Sequence, residues 1–369
     1  MGKRELLIIL IFAAVGMVVY RVTAPPPKNG QGFSFSRLWS STKRQIQGSQ
    51  AVGSVTTTGS IAIGPAVTSL RVAGVSRGIQ ILGEARKDIA YEMRIESSGP
   101  DQAAAEAFAR KAILQPDDLG SELALAVVFP KEESQWAALT LHVPAGLAVR
   151  LEGGSGARAA NLASLELDRA TGIITAEHIT GAVSGALTSG DLTVAGAGTI
   201  SLTLGALKAR LSQVAHSLTL TTRSGRCDVA DSHGLLTIDE TNTELAVTNQ
   251  AGPIHATGAG GRVTITAPQQ ALDVNIRNAP ITLDLDAAVP VMAIAAGERL
   301  RVTFAHPPAV TIDAVASGGG HIDASDFGLT PDSDDANQEQ RLNRPLGAAG
   351  APRVTLRNAR GDIVIGKGK

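Results

Sequence analysis

The side chains able to do chemistry in this sequence are few and widely spaced. Five histidines, His178, His216, His233, His255 and His321, share no common interval, whereas a metal site needs three or four ligands brought to one point. They are expected on separate surfaces, and no metal ligand is assigned. Asp332-Ser333-Asp334-Asp335-Ala336-Asn337 carries part of a calcium-loop pattern but lacks its glycine and distal glutamate, so it reads as an acidic loop. Gly74-Val75-Ser76-Arg77-Gly78 spells a nucleophile elbow. That device needs a strand-turn-helix, and the following Ile79-Gln80-Ile81-Leu82 alternates as a strand, which makes the segment a β-turn. Arg360-Gly361-Asp362 spells a cell-attachment tripeptide, yet it directly precedes Ile363-Val364-Ile365, the place of a tight turn entering a strand. Glycoside cleavage needs two carboxylates about 5 to 10 Å apart. Asp191, Asp228 and Glu244 come nearest, but they share no column, and Phe, Trp and Tyr are absent between Leu151 and Thr303, so no sugar-stacking ring is available there. Catalytic, cofactor-binding and metal residues are therefore all assigned as none; the expectation is a non-enzyme, with a polysaccharide-acting β-helix enzyme as the less favoured alternative.

The elements that would carry these residues repeat every 18 residues between Thr199 and Leu285. One column reads Ile200, Leu218, Leu236, Ile254, Leu272, and the column two residues on reads Leu202, Leu220, Ile238, Ala256, Val274. A second pair reads Ala209, Cys227, Leu245, Val263, Ile281 and Leu211, Val229, Val247, Ile265, Leu283. The positions between them are mostly polar, so each repeat holds two short in-out-in strands. Ala206, Ser224, Asn242, Gly260 and Asn278 precede the second strand, mostly residues that tolerate a sharp bend. A unit this short cannot bury its own apolar face, and stacking solves the problem. The fold class predicted is mainly β: a single-stranded parallel β-helix, right-handed, with about 18 residues per rung, a small α+β N-terminal cap and an N-terminal transmembrane helix. Cys227 is the sole cysteine; it falls in an apolar column and reads as a buried core thiol, with no disulfide to make.

Along the chain, Leu6 to Tyr20 is an apolar run behind Lys3-Arg4, which with Val22 and a snorkelling Arg21 is long enough to cross a bilayer as a helix and is also readable as a cleavable signal peptide. The short basic tail favours an inside N-terminus with the rest exported. The organisation expected is a signal anchor at 1–22, a Pro/Gly/Ser-rich linker at 23–54, an α+β cap at 55–152, solenoid repeats at 153–326, a mobile acidic loop at 327–352 and a closing strand and tail at 353–369. Phe33, Phe35 and Trp39 beside Lys43-Arg44 read either as an interfacial anchor or as incidental linker aromatics. Asp101 is the expected N-cap of a helix reaching about Leu114 with Ala104, Phe108 and Ala112 on one face, ended by Pro116. The net charge of −1 and the absence of a dense Lys/Arg run in the repeats lack the basic footprint of a nucleic-acid binder.

Leu141-His142-Val143-Pro144-Ala145-Gly146-Leu147-Ala148-Val149, the repeat Thr188-Ser189-Gly190-Asp191-Leu192-Thr193-Val194 and Asn358-Ala359-Arg360-Gly361-Asp362-Ile363-Val364-Ile365 resemble the bacterial putative-adhesin domains of unknown function, over roughly Leu70 to Ile365. The resemblance implies a parallel β-solenoid, commonly tethered by an N-terminal membrane segment, with no catalytic residues to carry over. The function expected is a non-enzymatic, membrane-anchored envelope protein presenting the solenoid for adhesion or protein contacts, on the extracytoplasmic side of a bacterial inner membrane. The alternative is a structural or scaffold subunit of a larger membrane complex. No cofactor, nucleic acid or small-molecule ligand is expected, and the protein partner is not named. Because the rung faces look small and polar, contacts are expected at the ends, through Phe33, Phe35 and Trp39 near the membrane, Trp136 in the cap and Phe327 with the loop to Pro352, and removing Pro331 to Leu346 is expected to leave the fold intact but weaken partner binding.

Overall fold

The computed structural model describes residues 51–130, 134–306, 308–348 and 350–368. The expected anchor, the linker up to Gln50 and the aromatics Phe33, Phe35 and Trp39 lie outside the described residues. Among the described residues no helix is long and apolar enough to cross a membrane. Ala51–Lys369 form one compact unit, mainly β, in which 25 strands join a single sheet.

The N-terminal end contains β1 (Ala51–Ala62), β2 (Ser69–Ala73), β3 (Ile79–Glu84), β4 (Asp88–Gly99), α1 (Gln102–Ala109), β5 (Ile113–Asp118), β6 (Glu122–Val128) and β7 (Gln135–Pro144). β1 therefore begins inside the stretch expected to be linker. The Asp101 carboxylate caps α1 by accepting from the Ala104 N–H at 2.8 Å, as the sequence suggested. The helix stops earlier than expected, however, and buries Ala105 and Ala109 rather than Ala104 and Phe108. Glycine permits this contact: a Cβ on Gly99 would lie 2.6 Å from the Ala105 nitrogen. Pro116 does not end a helix but lies in β5, which among the described residues pairs only with β6; on an edge strand a missing N–H costs no ladder bond.

The rungs follow as β8 (Ala148–Glu152), β9 (Ser155–Ala160), β10 (Ser164–Asp168) and β11 (Thr171–Ala230), a continuously paired 60-residue run that passes through several bends and so spans more than one rung, then β12 (Leu235–Thr241), β13 (Thr243–Thr248), β14 (Ile254–Ala259), β15 (Arg262–Thr266), β16 (Leu272–Arg277), β17 (Ile281–Leu285), β18 (Val291–Ala296) and β19 (Leu300–Phe304). They stack in two parallel ladders. In one, Leu236 faces Ile254 and Ile254 faces Leu272; in the other, Cys227, Leu245, Val263 and Ile281 follow one another. These are the predicted columns, and their side chains join one hydrophobic core running from Leu70 to Ile365. The bends use left-handed backbone at Asn242 (φ 52°), Gly260 (φ 78°), Asn278 (φ 55°) and Gly297 (φ 94°). A second bend column runs through Asn161, His178, Gln213, Asp231, Asn249 and Ala267, all at φ between 51° and 58°. The sequence hid it because only the backbone angle is shared, not the residue type.

Both ends depart from simple stacking in the same way. At the N-terminal end β2 pairs in parallel with both β6 and β8, and β3 with both β7 and β9, so the earliest rung lies inside a later one. At the C-terminal end β20 (Thr311–Ser317), β21 (Ile322–Asp323), β22 (Asp332–Asp334), β23 (Glu339–Pro345), β24 (Arg353–Ala359) and β25 (Ile363–Lys367) follow β19. The segment expected to close the solenoid does not close it: β24 pairs with β18 on one side and β20 on the other, and β25 with β19 and β21. The outermost strands on this side are β23, antiparallel to β20, and β22. Part of the stretch expected as a mobile loop is thus ladder, with Leu342 fully buried in the core. Removing Pro331 to Leu346 would strip an edge from β20, contrary to the expectation that the fold would tolerate it.

Candidate functional site

The concentration of unpartnered charge lies on the outer face of the second ladder, where four arginines from distant parts of the chain converge. Arg262 opens β15. The Val263 N–H donates to Pro280 O, the Ile281 N–H to Arg299 O and the Leu300 N–H to Asp362 O, at 2.9 to 3.1 Å. These bonds place Arg262, Pro280, Arg299 and Asp362 in successive rungs of one column. Two residues along β19, Arg301 sits in the next outward column between Thr282 and Val364. Arg360 comes from the left-handed turn (φ 66°) between β24 and β25. Together with Gly297, Glu298 and Gly361 they line an open depression of about 590 Å³.

Electrostatically the depression is unbalanced. Arg262, Arg299, Arg301 and Arg360 are exposed and have no ion pair or side-chain hydrogen bond among the described residues. Two rungs from Arg262 in the same column, Arg226 behaves otherwise: it donates to Asp228 at 2.9 Å and to Glu244 at 3.3 Å, and the Asp228 hydrogen bond holds its guanidinium above the ordinary value. Within the depression the opposing carboxylates are Glu298 and Asp362, and Asp362 Oδ1 already accepts from the His321 N–H at 3.1 Å. Four guanidinium groups against two carboxylates leave a local excess of positive charge in a chain whose net charge is −1. Guanidinium forks not satisfied by the protein are donors for an external anion.

The residues singled out from sequence are dispersed. Ser76 Oγ accepts from the Ala137 N–H at 3.1 Å, while its carbonyl accepts from Ser155 Oγ at 2.7 Å; β3 follows, so the elbow reading fails and the serine staples two rungs. Cys227 is 1 % exposed, and burial pushes its thiol up to about 12. His255 Nδ1 lies 3.1 Å from Asp273 Oδ2, His178 occupies a bend at φ 53°, and His321 Nδ1 lies 3.4 Å from Gln340 Nε2. Among the described residues no three His, Cys, Asp or Glu side chains gather as a metal group. Asp334 accepts from the Asn337 backbone and side-chain nitrogens, a local turn contact. Asp228 and Glu244 both serve Arg226. Of the aromatics expected to make outside contacts, Trp136 and Phe327 are occupied internally: Arg77 lies 4.9 Å over the Trp136 ring, and Phe327 meets Phe304 edge-on at 6.1 Å.

The arginine groove escaped the sequence reading, which took the rung faces to be small and polar. The column advances by 18 residues up to Pro280 and by 19 to Arg299, and its last members arrive from the end of the chain.

One buried carboxylate also stands apart. Glu240 is fully buried; its Oε2 accepts from the Thr243 N–H at 3.1 Å, and its Oε1 has no partner. Burial raises it from 4.5 to about 7, the Thr243 bond opposing. The folded protein therefore holds a proton that the unfolded chain has released between pH 4.5 and about 7, so stability falls as pH rises through that window and the full penalty is present above it. Glu240→Gln removes the ionisation and keeps an acceptor for Thr243. Chemical denaturation should show it more stable than wild type at pH 8, on the order of 2 to 3 kcal/mol, with the difference vanishing at pH 4.

No family model matches the chain, and no curated protein matches it. Among solved structures it is similar to a putative cell adhesion protein from Clostridium sporogenes, at 11% identity over 85% of this chain and 100% of that one, with a TM-score of 0.20. It is also similar to a putative adhesin from Parabacteroides distasonis, at 11% identity over 84% and 97% of the two chains, with a TM-score of 0.26. Both names refer to adhesion, as does that of the family that the sequence resembles. At such identities and TM-scores the likeness supports neither a shared fold nor a shared ligand.

Proposed function

We propose that this chain is a non-enzymatic, adhesion-type display protein, held at a bacterial inner membrane by the apolar segment Leu6 to Val22 and offering the outer faces of its solenoid to contacts on the extracytoplasmic side. The observation that carries this reading is the division of labour in the rungs. Inward side chains are consumed by one packed core from Leu70 to Ile365, while the concentrated unsatisfied chemistry, four arginines without a partner among the described residues, lies on an outer face in an open depression. A surface that is shallow and charged suits holding a partner by many contacts more than enclosing a substrate, since ligand pockets that do chemistry are concave and largely dry. Fractionation tests it: the full chain should sediment with membranes, and protease added to spheroplasts should digest the solenoid. Recovery in the cytosolic fraction overturns the reading.

A second reading, a scaffold subunit of a membrane complex, is favoured by the edge of β1. Its twelve residues carry no charge and no proline, and among the described residues they pair only with β4. Other terminal strands are blunted, β5 by Pro116, Asp117 and Asp118 and β22 by two aspartates in three residues, as exposed edges usually are. Stoichiometric recovery of a second protein after gentle detergent extraction, lost on Thr56→Pro, would select this reading.

A further inference from the structure

We infer that the arginine groove binds an acidic polysaccharide, one whose sugars carry carboxylates, laid along the solenoid axis. The inference rests on the display reading above and names its ligand class.

Spacing gives the first argument. Arg262 and Arg299 are two ladder steps apart with Pro280 between them, and a step is about 4.8 Å, so the two guanidinium stems leave the ladder about 10 Å apart. Arg301 leaves β19 two residues after Arg299, which immediately precedes that strand, about 7 Å away across the axis, and Arg360 lines the same depression. One small anion would satisfy one or two of these groups. A chain of regularly repeated anions running across the rungs reaches all four, and each fork can take a carboxylate through two parallel hydrogen bonds.

Lining chemistry narrows the class. Glu298, Asp362 and Thr282 stand among the arginines, and their oxygens accept hydrogen bonds from hydroxyl groups. A sugar acid supplies both halves of that arrangement, a carboxylate for arginine and hydroxyls for the acceptors. A polyphosphate offers no donors for those acceptors. Nucleic acid would need a longer basic track and rings to stack its bases, and no aromatic residue lies between Leu151 and Thr303. The same lack disfavours neutral sugars, which depend on ring stacking. An acidic peptide would bring apolar anchors, but the apolar lining is Pro280 and Ile281, and Ile281 is fully buried.

The full chain in detergent should bind oligomers of polygalacturonate in a titration at low salt, weakening as salt rises. Dextran, inorganic phosphate, polyphosphate and polyglutamate of equal length should each bind at least about tenfold more weakly, the equivalent of one lost charge-assisted contact. Arg299→Ala with Arg301→Ala should lower polygalacturonate affinity by about tenfold or more, and Arg262→Gln alone should lower it measurably. Arg110→Ala, at the C-cap of α1 near the N-terminal end, should leave it unchanged. All four substituted residues are exposed, and unchanged thermal melting confirms that each variant folds. Absent binding, equal binding of polyphosphate or polyglutamate, or indifference to the groove variants overturns the ligand class. Should that happen while the chain still sediments with membranes and is digested from outside, the display reading stands without this ligand; a cytosolic chain fails the display reading whatever it binds.

Discussion

Ending the chain at Pro352 should unravel the C-terminal part of the solenoid, although only 17 of 369 residues are lost. In a simple stack the last strand covers one edge, and its removal costs one layer. Here β24 and β25 fill the space between β18/β19 and β20/β21, so their loss leaves two ladders facing an empty rung. Val354, Leu356, Ile363 and Ile365, each 2 % exposed or less, leave the core together. At about 1.5 to 3 kcal/mol for each buried aliphatic side chain, the loss is on the order of 6 to 12 kcal/mol, comparable with the whole stability of a typical domain. Asn358 goes as well, and with it the bonds from its Nδ2 to Glu298 O and Asp362 O, 2.7 and 3.0 Å. The truncated chain should show exposed-core dye binding and lose amide protection in β18 to β21, with protection retained in β12 to β15. A synthetic peptide of residues 353–369 should restore it, because its backbone completes both ladders as an inserted strand. Truncated protein that melts as wild type would contradict this topology.

What was legible in the sequence follows from how information is carried along a solenoid. Where rungs keep 18 residues, as from Leu218 to Leu236 and on to Ile254 and Leu272, side-chain type repeats at the pairing interval and the columns can be read directly. The turn at Asn242, Gly260 and Asn278 was legible for a related reason: the left-handed backbone selects residue types. At the neighbouring Gly261 the selection is steric as well, since a Cβ would lie 2.1 Å from the Thr243 carbonyl oxygen. Legibility failed where pairing is non-local. Nothing local marks Arg353 to Lys367 as an inserted rung rather than a terminal one, because its alternation is the same in either place. Nothing local marks Glu339 to Pro345 as a strand: it is polar except for Leu342, and its partner β20 lies some thirty residues earlier. The groove inherits both difficulties. A 19-residue step moves Arg299 out of the 18-residue column, and Arg360 joins only through the insertion.

Ile254→Asp should unfold the middle of the solenoid, whereas Thr237→Asp should be tolerated. Ile254 is 2 % exposed, between Leu236 and Leu272 in the first ladder. Truncating a buried isoleucine costs about 2 to 5 kcal/mol through lost transfer energy and the cavity left behind. Aspartate adds an unpaired carboxylate among aliphatic side chains, which costs several kcal/mol more or forces the group to take up a proton. Either way the cost spreads, because each rung is stabilised chiefly by its two neighbours. Thr237 lies on β12 one residue from Leu236 and points to the outer side of the ladder, half-buried beside His255 and Thr219. A carboxylate there meets solvent and a histidine rather than the core. Thermal melting should therefore separate the variants: Ile254→Asp falls by tens of degrees or melts in two stages, since 1 kcal/mol is worth a few degrees in a domain of this size, and Thr237→Asp stays within a few degrees of wild type. The Ile254→Asp melting point should also recover in part below about pH 5, where protonation removes the buried charge. Equal melting temperatures for the two variants would place the inward and outward faces in the wrong register, and with them the outward face that carries the arginines.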